Sequence, residues 1–149
     1  MKIERKESFC GIFRIPGDKS ITHRAVMFNA AAEGSAVVTN ALLGEDCLST
    51  IACMRALGAD IRTEGGTVYV TGTKQFRDAE CDCGNSGTTM RLLMGLTAGR
   101  NINVRFTGDA SLSKRPMERV AAPLRLLGAD VETTEGTAPV YVRRSVLKD

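Results

Sequence analysis

Apolar and polar positions alternate along this chain in an order that occurs twice. A stretch opened by Asp18 or Ser20, either able to cap, predicts a helix to about Ala32, stopped by Gly34. The β-branched run Ser35-Ala36-Val37-Val38-Thr39 predicts a strand. A second helix starting near Asp46 is expected to bury Leu48, Ile51, Ala52 and Leu57 and to end at Gly58, which takes a left-handed conformation without steric cost. Residues 60–63 and 67–71 alternate as strands do, and Glu64-Gly65-Gly66 between them predicts a tight hairpin. The same order then returns. A helix follows Asn85 and ends near Gly99, and Ile102 to Phe106 reads as a strand. Pro116 suits a first helical turn, and Met117, Val120, Ala121, Leu124 and Leu127 follow the spacing of a core-facing stripe that Gly128 stops.

The residues repeat as well as the pattern. Arg55-Ala56-Leu57-Gly58-Ala59-Asp60-Ile61 recurs as Arg125-Leu126-Leu127-Gly128-Ala129-Asp130-Val131, and each copy runs through a Thr/Glu/Gly turn into Val-Tyr-Val. Upstream, Gly17-Asp18-Lys19-Ser20-Ile21-Thr22-His23-Arg24 lines up with Gly84-Asn85-Ser86-Gly87-Thr88-Thr89-Met90-Arg91, and Gly44-Glu45-Asp46 weakly with Thr107-Gly108-Asp109. Four landmarks in one order imply an α/β (α+β) chain built from two helix-strand-helix-hairpin units of about seventy residues. They are expected at 16–75 and 76–149, with 1–15 as a strand-like lead outside the repeat.

Composition narrows the function. The 149 residues are 43% apolar, 25% charged and 5% aromatic, with a net charge of +3. That balance excludes disorder, and it is too mild to predict nucleic-acid binding. Without Trp, and with two Tyr, the chain lacks the rings of a single-strand-binding platform. Apolar runs are too short for a membrane helix. Five cysteines (Cys10, Cys47, Cys53, Cys81, Cys83), with no signal-peptide pattern at Met1–Lys6, suit a reducing cytoplasm. Cys81-Asp82-Cys83 lacks the partners of a zinc site, since His23 is the one histidine, so free thiols are expected.

Candidate chemistry lies in the two repeated turns. At Gly17-Asp18-Lys19-Ser20 the unpaired amides and positive dipole end of a helix attract anions. Lys19 adds a mobile charge, Ser20 a hydroxyl, and Arg24 a planar fork one turn along the same face. The second copy substitutes amide, hydroxyl and bare backbone for charge, and Gly87 permits close approach of a ligand. Lys114-Arg115-Pro116 places basic side chains at a helix start, against the dipole, which points to a ligand or partner. Capping alone also accounts for Asp18 and Asn85, and a duplicated fold duplicates its caps. Asp46 and Asp109 read as turn and cap residues, Arg119 and Arg125 as solvated helix-face charges, and His23 as a packed or solvent-facing imidazole rather than a base.

Ile15 to Arg24, Leu43-Gly44-Glu45-Asp46, Gly84 to Arg91 and Ser113 to Met117 together resemble the 5-enolpyruvylshikimate-3-phosphate (EPSP) synthase family over essentially the whole chain. The resemblance implies an inside-out α/β domain of three such units, of which two are here, with the lead strand belonging to a second domain. It also implies transfer of the enolpyruvyl group of phosphoenolpyruvate to the 5-hydroxyl of shikimate 3-phosphate, releasing phosphate, in the shikimate pathway to aromatic amino acids, without a cofactor. By motif position, Lys19 resembles the lysine touching both substrates, Ser20 and Arg24 the shikimate 3-phosphate site, and Asn85, Gly87, Thr88 and Arg115 the phosphoenolpyruvate site that glyphosate also occupies. The full-length family is monomeric, and self-association of this chain is left open.

Beyond Val140-Tyr141-Val142-Arg143-Arg144 the family continues into a third unit and a second domain. This sequence is therefore expected to be an amino-terminal fragment that folds but does not turn over. One rival is the enolpyruvyl transferase of UDP-N-acetylglucosamine, whose reactive cysteine has no counterpart in Asp109-Ala110-Ser111-Leu112-Ser113. The other is a non-catalytic anion- or RNA-binding repeat module.

Overall fold

The computed structural model describes Ser8 and residues 10–148. The described chain runs α1 (Lys19–Ala31), β1 (Ser35–Val38), α2 (Glu45–Ala56), β2 (Asp60–Glu64), β3 (Thr67–Thr71), β4 (Ala79–Asp82), α3 (Gly87–Thr97) and β5 (Val104–Thr107). A 3-10 turn at Leu112–Lys114, α4 (Glu118–Leu126), β6 (Asp130–Thr134) and β7 (Thr137–Arg143) complete it. Most of the expected lead strand, residues 1–7 and 9, lies outside the described residues, and residues 10–15 form no strand.

The strands make two sheets, ordered β1-β3-β2 and β4-β5-β7-β6. All pairings are antiparallel except β4 with β5, which is parallel. The repeated heptad shows why each helix passes into its hairpin the same way. Gly58 and Gly128 turn the chain at φ 117° and 93°. Ala59 and Ala129 are buried, as are Ile61 and Val131 on the inner sheet face. Arg55 Nε donates to the Ile61 carbonyl (2.8 Å) and Arg125 Nε to that of Val131, so each arginine clamps its helix to the first strand of its hairpin. Arg125 is thus a structural clamp as well as a helix-face charge, and it also grips Glu118. At the first hairpin tip, Gly65 and Gly66 both have positive φ (51° and 81°), which a primed two-residue turn demands.

The helices form a row, α1 beside α2, α2 beside α3, α3 beside α4, and α2 also packs on β4 of the second sheet. This double contact corrects the expected face of α2. Its buried residues are Cys47, Thr50, Ile51, Cys53 and Met54, while Leu48 and Ala52 face solvent. A helix with neighbours on several sides buries more than one stripe, so a single-stripe reading selects the wrong residues. Leu127 is 52% exposed although its counterpart Leu57 is buried, because α2 lies between α1 and α3 while α4 stands at the end of the row. Pro116 precedes α4 instead of sitting in its first turn, and the proline inside α4 is Pro123. β4 carried no periodic signal, being four residues long with one buried side chain, Cys81.

One continuous core joins both sheets and the helix row, including Val26, Met54, Leu57, Met90, Leu93 and Phe106. Each such side chain contributes about 1.5–3 kcal/mol of transfer free energy. The helix starts lie at the edge of this core, which fixes their relative positions.

Candidate active site

At the start of α1 the chain is pressed against the loop that follows β1. A Cβ on Gly17 would lie 2.1 Å from the Asn40 carbonyl oxygen, so no side chain fits there. Asp18 caps the helix, its Oδ1 accepting from the Ile21 amide at 2.7 Å. Thr22 braces the cap, its hydroxyl donating to the Asp18 carbonyl (2.7 Å) and accepting from the Leu42 amide (3.0 Å). Lys19 and Ser20 then occupy the first helical positions, exposed, where amides have no acceptor within the helix. Lys19 Nζ lies 3.0 Å from Asp46 Oδ2 at the start of α2. Arg24, also exposed, donates to the Ser20 carbonyl at 3.1 Å, so Ser20 and Arg24 share a face as their spacing predicts.

The start of α3 is held differently. Ser86, not Asn85, is the cap, its Oγ accepting from the Thr89 amide at 3.1 Å. This frees Asn85 for a longer-range task. Its Nδ2 donates to Asp109 Oδ2 (2.7 Å) and its Oδ1 accepts from Arg115 Nη2 (2.6 Å). Asp109 Oδ1 meanwhile accepts from the Leu112 and Ser111 amides at 2.7 and 2.9 Å. The Leu112 amide first, then Asn85, holds the Asp109 carboxyl below the usual carboxylate range. Asp109 is therefore a turn residue that braces the chain before the 3-10 turn, whose cap position is Ser111, and Asp46 is a helix residue paired with Lys19.

Gly87 is buried beside two guanidinium groups. A Cβ there would lie 2.7 Å from Arg91 Nη1 and 3.4 Å from Arg115 Nη1. Thr88 follows it, half-buried. The Gly87 amide already donates to the Asn85 carbonyl at 3.1 Å, so the donors that converge here are chiefly the arginines. Arg91 donates to the Pro116 carbonyl (3.2 Å), yet its buried Nε has no partner. Burial, and then Arg119 and Arg115, push the Arg91 guanidinium below its ordinary value. An unsatisfied buried donor amid like charges is relieved by an anion. Arg91 was missed among the site residues, although its register with Arg24 in the repeated turn was the available signal.

Lys114 ends the 3-10 turn and Arg115 caps it, so neither opens α4 as expected. Arg115 owes its position to Asn85. Asp46 joins the two starts: its carboxylate takes Lys19 of α1 and its carbonyl accepts from Thr89 Oγ1 of α3 at 3.2 Å. Four of the cysteines are closed to solvent. All five are free, and Cys47, Cys53, Cys81 and Cys83 are buried. Burial raises the Cys47 thiol; Cys53 is lowered by Cys81 but raised more by Cys83 and burial; Cys81 is raised by Cys53 and burial.

Fold and site together define a repeat-built α/β domain whose helix starts carry cations. The model of the family EPSP synthase (3-phosphoshikimate 1-carboxyvinyltransferase) matches residues 3–149, and the chain belongs to that family. The 3-phosphoshikimate 1-carboxyvinyltransferase of Thermoanaerobacter sp. (strain X514) is 47% identical over 152 residues, covering 99% of this chain and 36% of the relative. The enzyme of that name from Roseiflexus sp. (strain RS-1) is 51% identical over 140 residues, covering 89% and 32%. A solved EPSP synthase from Acinetobacter baumannii superposes with a TM-score of 0.84 at 45% identity, over 93% of this chain and 33% of that one. The chain thus spans about a third of the length of these relatives. No helix among the described residues is long and apolar enough to cross a membrane.

Proposed function

We propose that this chain supplies one wall of an active site that transfers the enolpyruvyl group of phosphoenolpyruvate to the 5-hydroxyl of shikimate 3-phosphate. The carrying observation is the bridge at Asp46, which ties the Lys19 end of α1 to the Thr89 end of α3. Two polyanions then meet two adjacent helix starts, one lined by Lys19, Ser20 and Arg24, the other by Asn85, Gly87, Thr88 and Arg115, with Arg91 added. Shikimate 3-phosphate takes the first and phosphoenolpyruvate the second, with Lys19 touching both. Glyphosate competes at the second.

The reaction is an addition followed by an elimination. A proton joins the methylene carbon of phosphoenolpyruvate, the 5-hydroxyl oxygen bonds to the adjacent carbon, and the hydroxyl proton leaves. The tetrahedral adduct then expels phosphate and loses a methyl proton, restoring the vinyl group. Fixed cations hold the phosphate and carboxylate in place through both steps and stabilise the phosphate as it leaves, without a cofactor. Lys19 can give up its contact with the half-exposed Asp46 at little cost. The free thiols support a reducing cytoplasmic setting. The repeat supports units at 16–75 and 76–149, and the third-of-length coverage supports a chain that does not turn over alone.

Amide NMR of the 149-residue chain tests this reading. Shikimate 3-phosphate should shift residues 19–24 and phosphoenolpyruvate residues 85–88, each with weaker than micromolar affinity and no synthase-like phosphate release. Exchanged sites, or no shifts at millimolar ligand, would overturn it.

A further inference from the structure

Between the two helix starts runs a buried polar chain that substrate contacts do not account for. His23 of α1 lies 2.7 Å through Nδ1 from Thr50 Oγ1 of α2, which lies 2.7 Å from Thr89 Oγ1 of α3, itself 2.7 Å from Ser86 Oγ. The first three are 0% exposed and Ser86 is 1% exposed. They face no bulk solvent, so their protons are shared out among neighbours in the chain.

One arrangement keeps a donor on the Asp46 carbonyl and leaves no buried ring N–H without an acceptor. The Thr89 hydroxyl donates either to the Asp46 carbonyl (3.2 Å) or to Ser86 Oγ (2.7 Å), which spends its one proton. Its contact with Thr50 must then be an accepting one, so Thr50 donates. Thr50 has no second proton, so its contact with His23 is also accepting, and Nδ1 carries the hydrogen. The Nε2 atom, buried without a partner, is left as a bare lone pair. A second proton there would be an unpaired buried cation. Lys19 and Arg24 on α1 also disfavour that proton, while Asp46 on α2 favours it.

We propose that His23, Thr50, Thr89 and Ser86 form a polarised relay, running from His23 Nδ1–H, that sets α3 and its cap against α1. His23 and Thr50 are positioning residues in it. Thr50 touches neither candidate substrate site, but its hydroxyl supports Thr89, whose amide and hydroxyl hold the Ser86 cap beside Gly87. The functional consequence rests on the reading proposed above. The proton arrangement does not.

The relay is tested in the 149-residue chain by measurements that need no substrate. Because His23 is the one histidine, ring 15N signals are unambiguous. A protonated Nδ1 and bare Nε2 at neutral pH are expected, and a proton on Nε2, or rapid averaging between the two, overturns the proposal. Thr50→Val keeps shape and loses the hydroxyl, whereas Thr50→Ser loses a methyl and keeps it. The Val variant should speed exchange of the Thr89 amide about tenfold or more, with the Ser variant near the parent. The opposite order would mean that packing alone matters. His23→Asn, which retains a donor near Nδ1, should protect that amide better than His23→Leu. Phosphoenolpyruvate affinity should follow the same ranking. If the parent binds neither substrate, the functional reading fails while ring spectrum and exchange order still decide the relay. If substrates bind but Val and Asn offer no such ranking, the relay fails alone.

Discussion

The starts of α1 and α3 arise from one repeated turn, yet they gather cations in opposite ways. At α1 the cations are the helix's own side chains: Lys19 and Arg24 are exposed on the surface, and the one acid that restrains Lys19 is itself half-exposed. At α3 one cation is brought in and the other is a sheltered side chain of the helix itself. Arg115 arrives from beyond the 3-10 turn, held by Asn85, and Arg91 is half-buried with an unpaired Nε. The first start is mobile and adaptable. The second is pre-organised, with its charge gathered before any ligand arrives, which lowers the ordering cost of binding a small anion. Glycine marks the contrast: Gly17 is needed because backbone is in the way, Gly87 because guanidinium groups are.

The largest expected difference comes from one substitution made at both starts. Gly17→Ala drives a Cβ into the Asn40 carbonyl and should cost about 3 kcal/mol, read as a fall in urea midpoint. Gly87→Ala meets movable side-chain ends, so its stability cost should stay under about 1 kcal/mol while phosphoenolpyruvate binding weakens at least tenfold. Equal stability losses would erase the contrast.

Next in size are the cations. Lys19→Met should weaken shikimate 3-phosphate by roughly 10- to 100-fold, the worth of one charge-assisted hydrogen bond, without disturbing α3. Asn85→Ala should weaken phosphoenolpyruvate by about tenfold although Arg115 is intact, because the arginine loses its support. Calorimetry with each ligand separates the two. If Asn85→Ala left phosphoenolpyruvate unchanged, the second start would not be pre-organised by Asn85.

A smaller effect is expected from acid. Burial holds the His23 imidazole below its ordinary value near 6.5. The unfolded chain therefore takes up a proton that the folded chain refuses. Stability should be complete above about pH 6.5 and decline as pH falls below it, and His23→Asn should remove that slope in a pH series of urea midpoints. Glu118 acts in a separate window. Its carboxyl, held at about 2 by Arg125 and then Thr133, gives stability that is lost as pH falls from about 4.5 toward about 2. The smallest effect is the coupling of Lys19 with Asp46, which a double-mutant cycle should place under about 1 kcal/mol.

Much of the fold was legible because its signals are local. Gly58, Gly65, Gly66 and Gly128 fall at the positive-φ positions their turns require, and the heptads at 55–61 and 125–131 show the repeat directly. Lys19, Ser20 and Arg24 were legible too, since helical spacing alone puts them together. The role of Asn85 was not. As a capping residue type it reads as a cap, and only the approach of Asp109 and Arg115, 24 and 30 residues away, gives it another use. Arg91 was hidden among ordinary helix charges, because its importance lies in burial beside Gly87.

By itself the sequence determined most of the element order, the duplication, the start of α1 and the family, all of which rest on short-range patterns and backbone sterics, while β4 and the start of α4 left no such trace. Tertiary structure decided what the helix row does with them. Packing α2 between α1 and α3 buried Thr50 and exposed Leu48 and Ala52, brought Asp46 to both starts, and enclosed His23 in a polar chain away from water. Burial and long-range contact depend on every neighbouring element at once, and hydrogen-bond partners 27 or 39 residues apart leave no periodic trace in the chain.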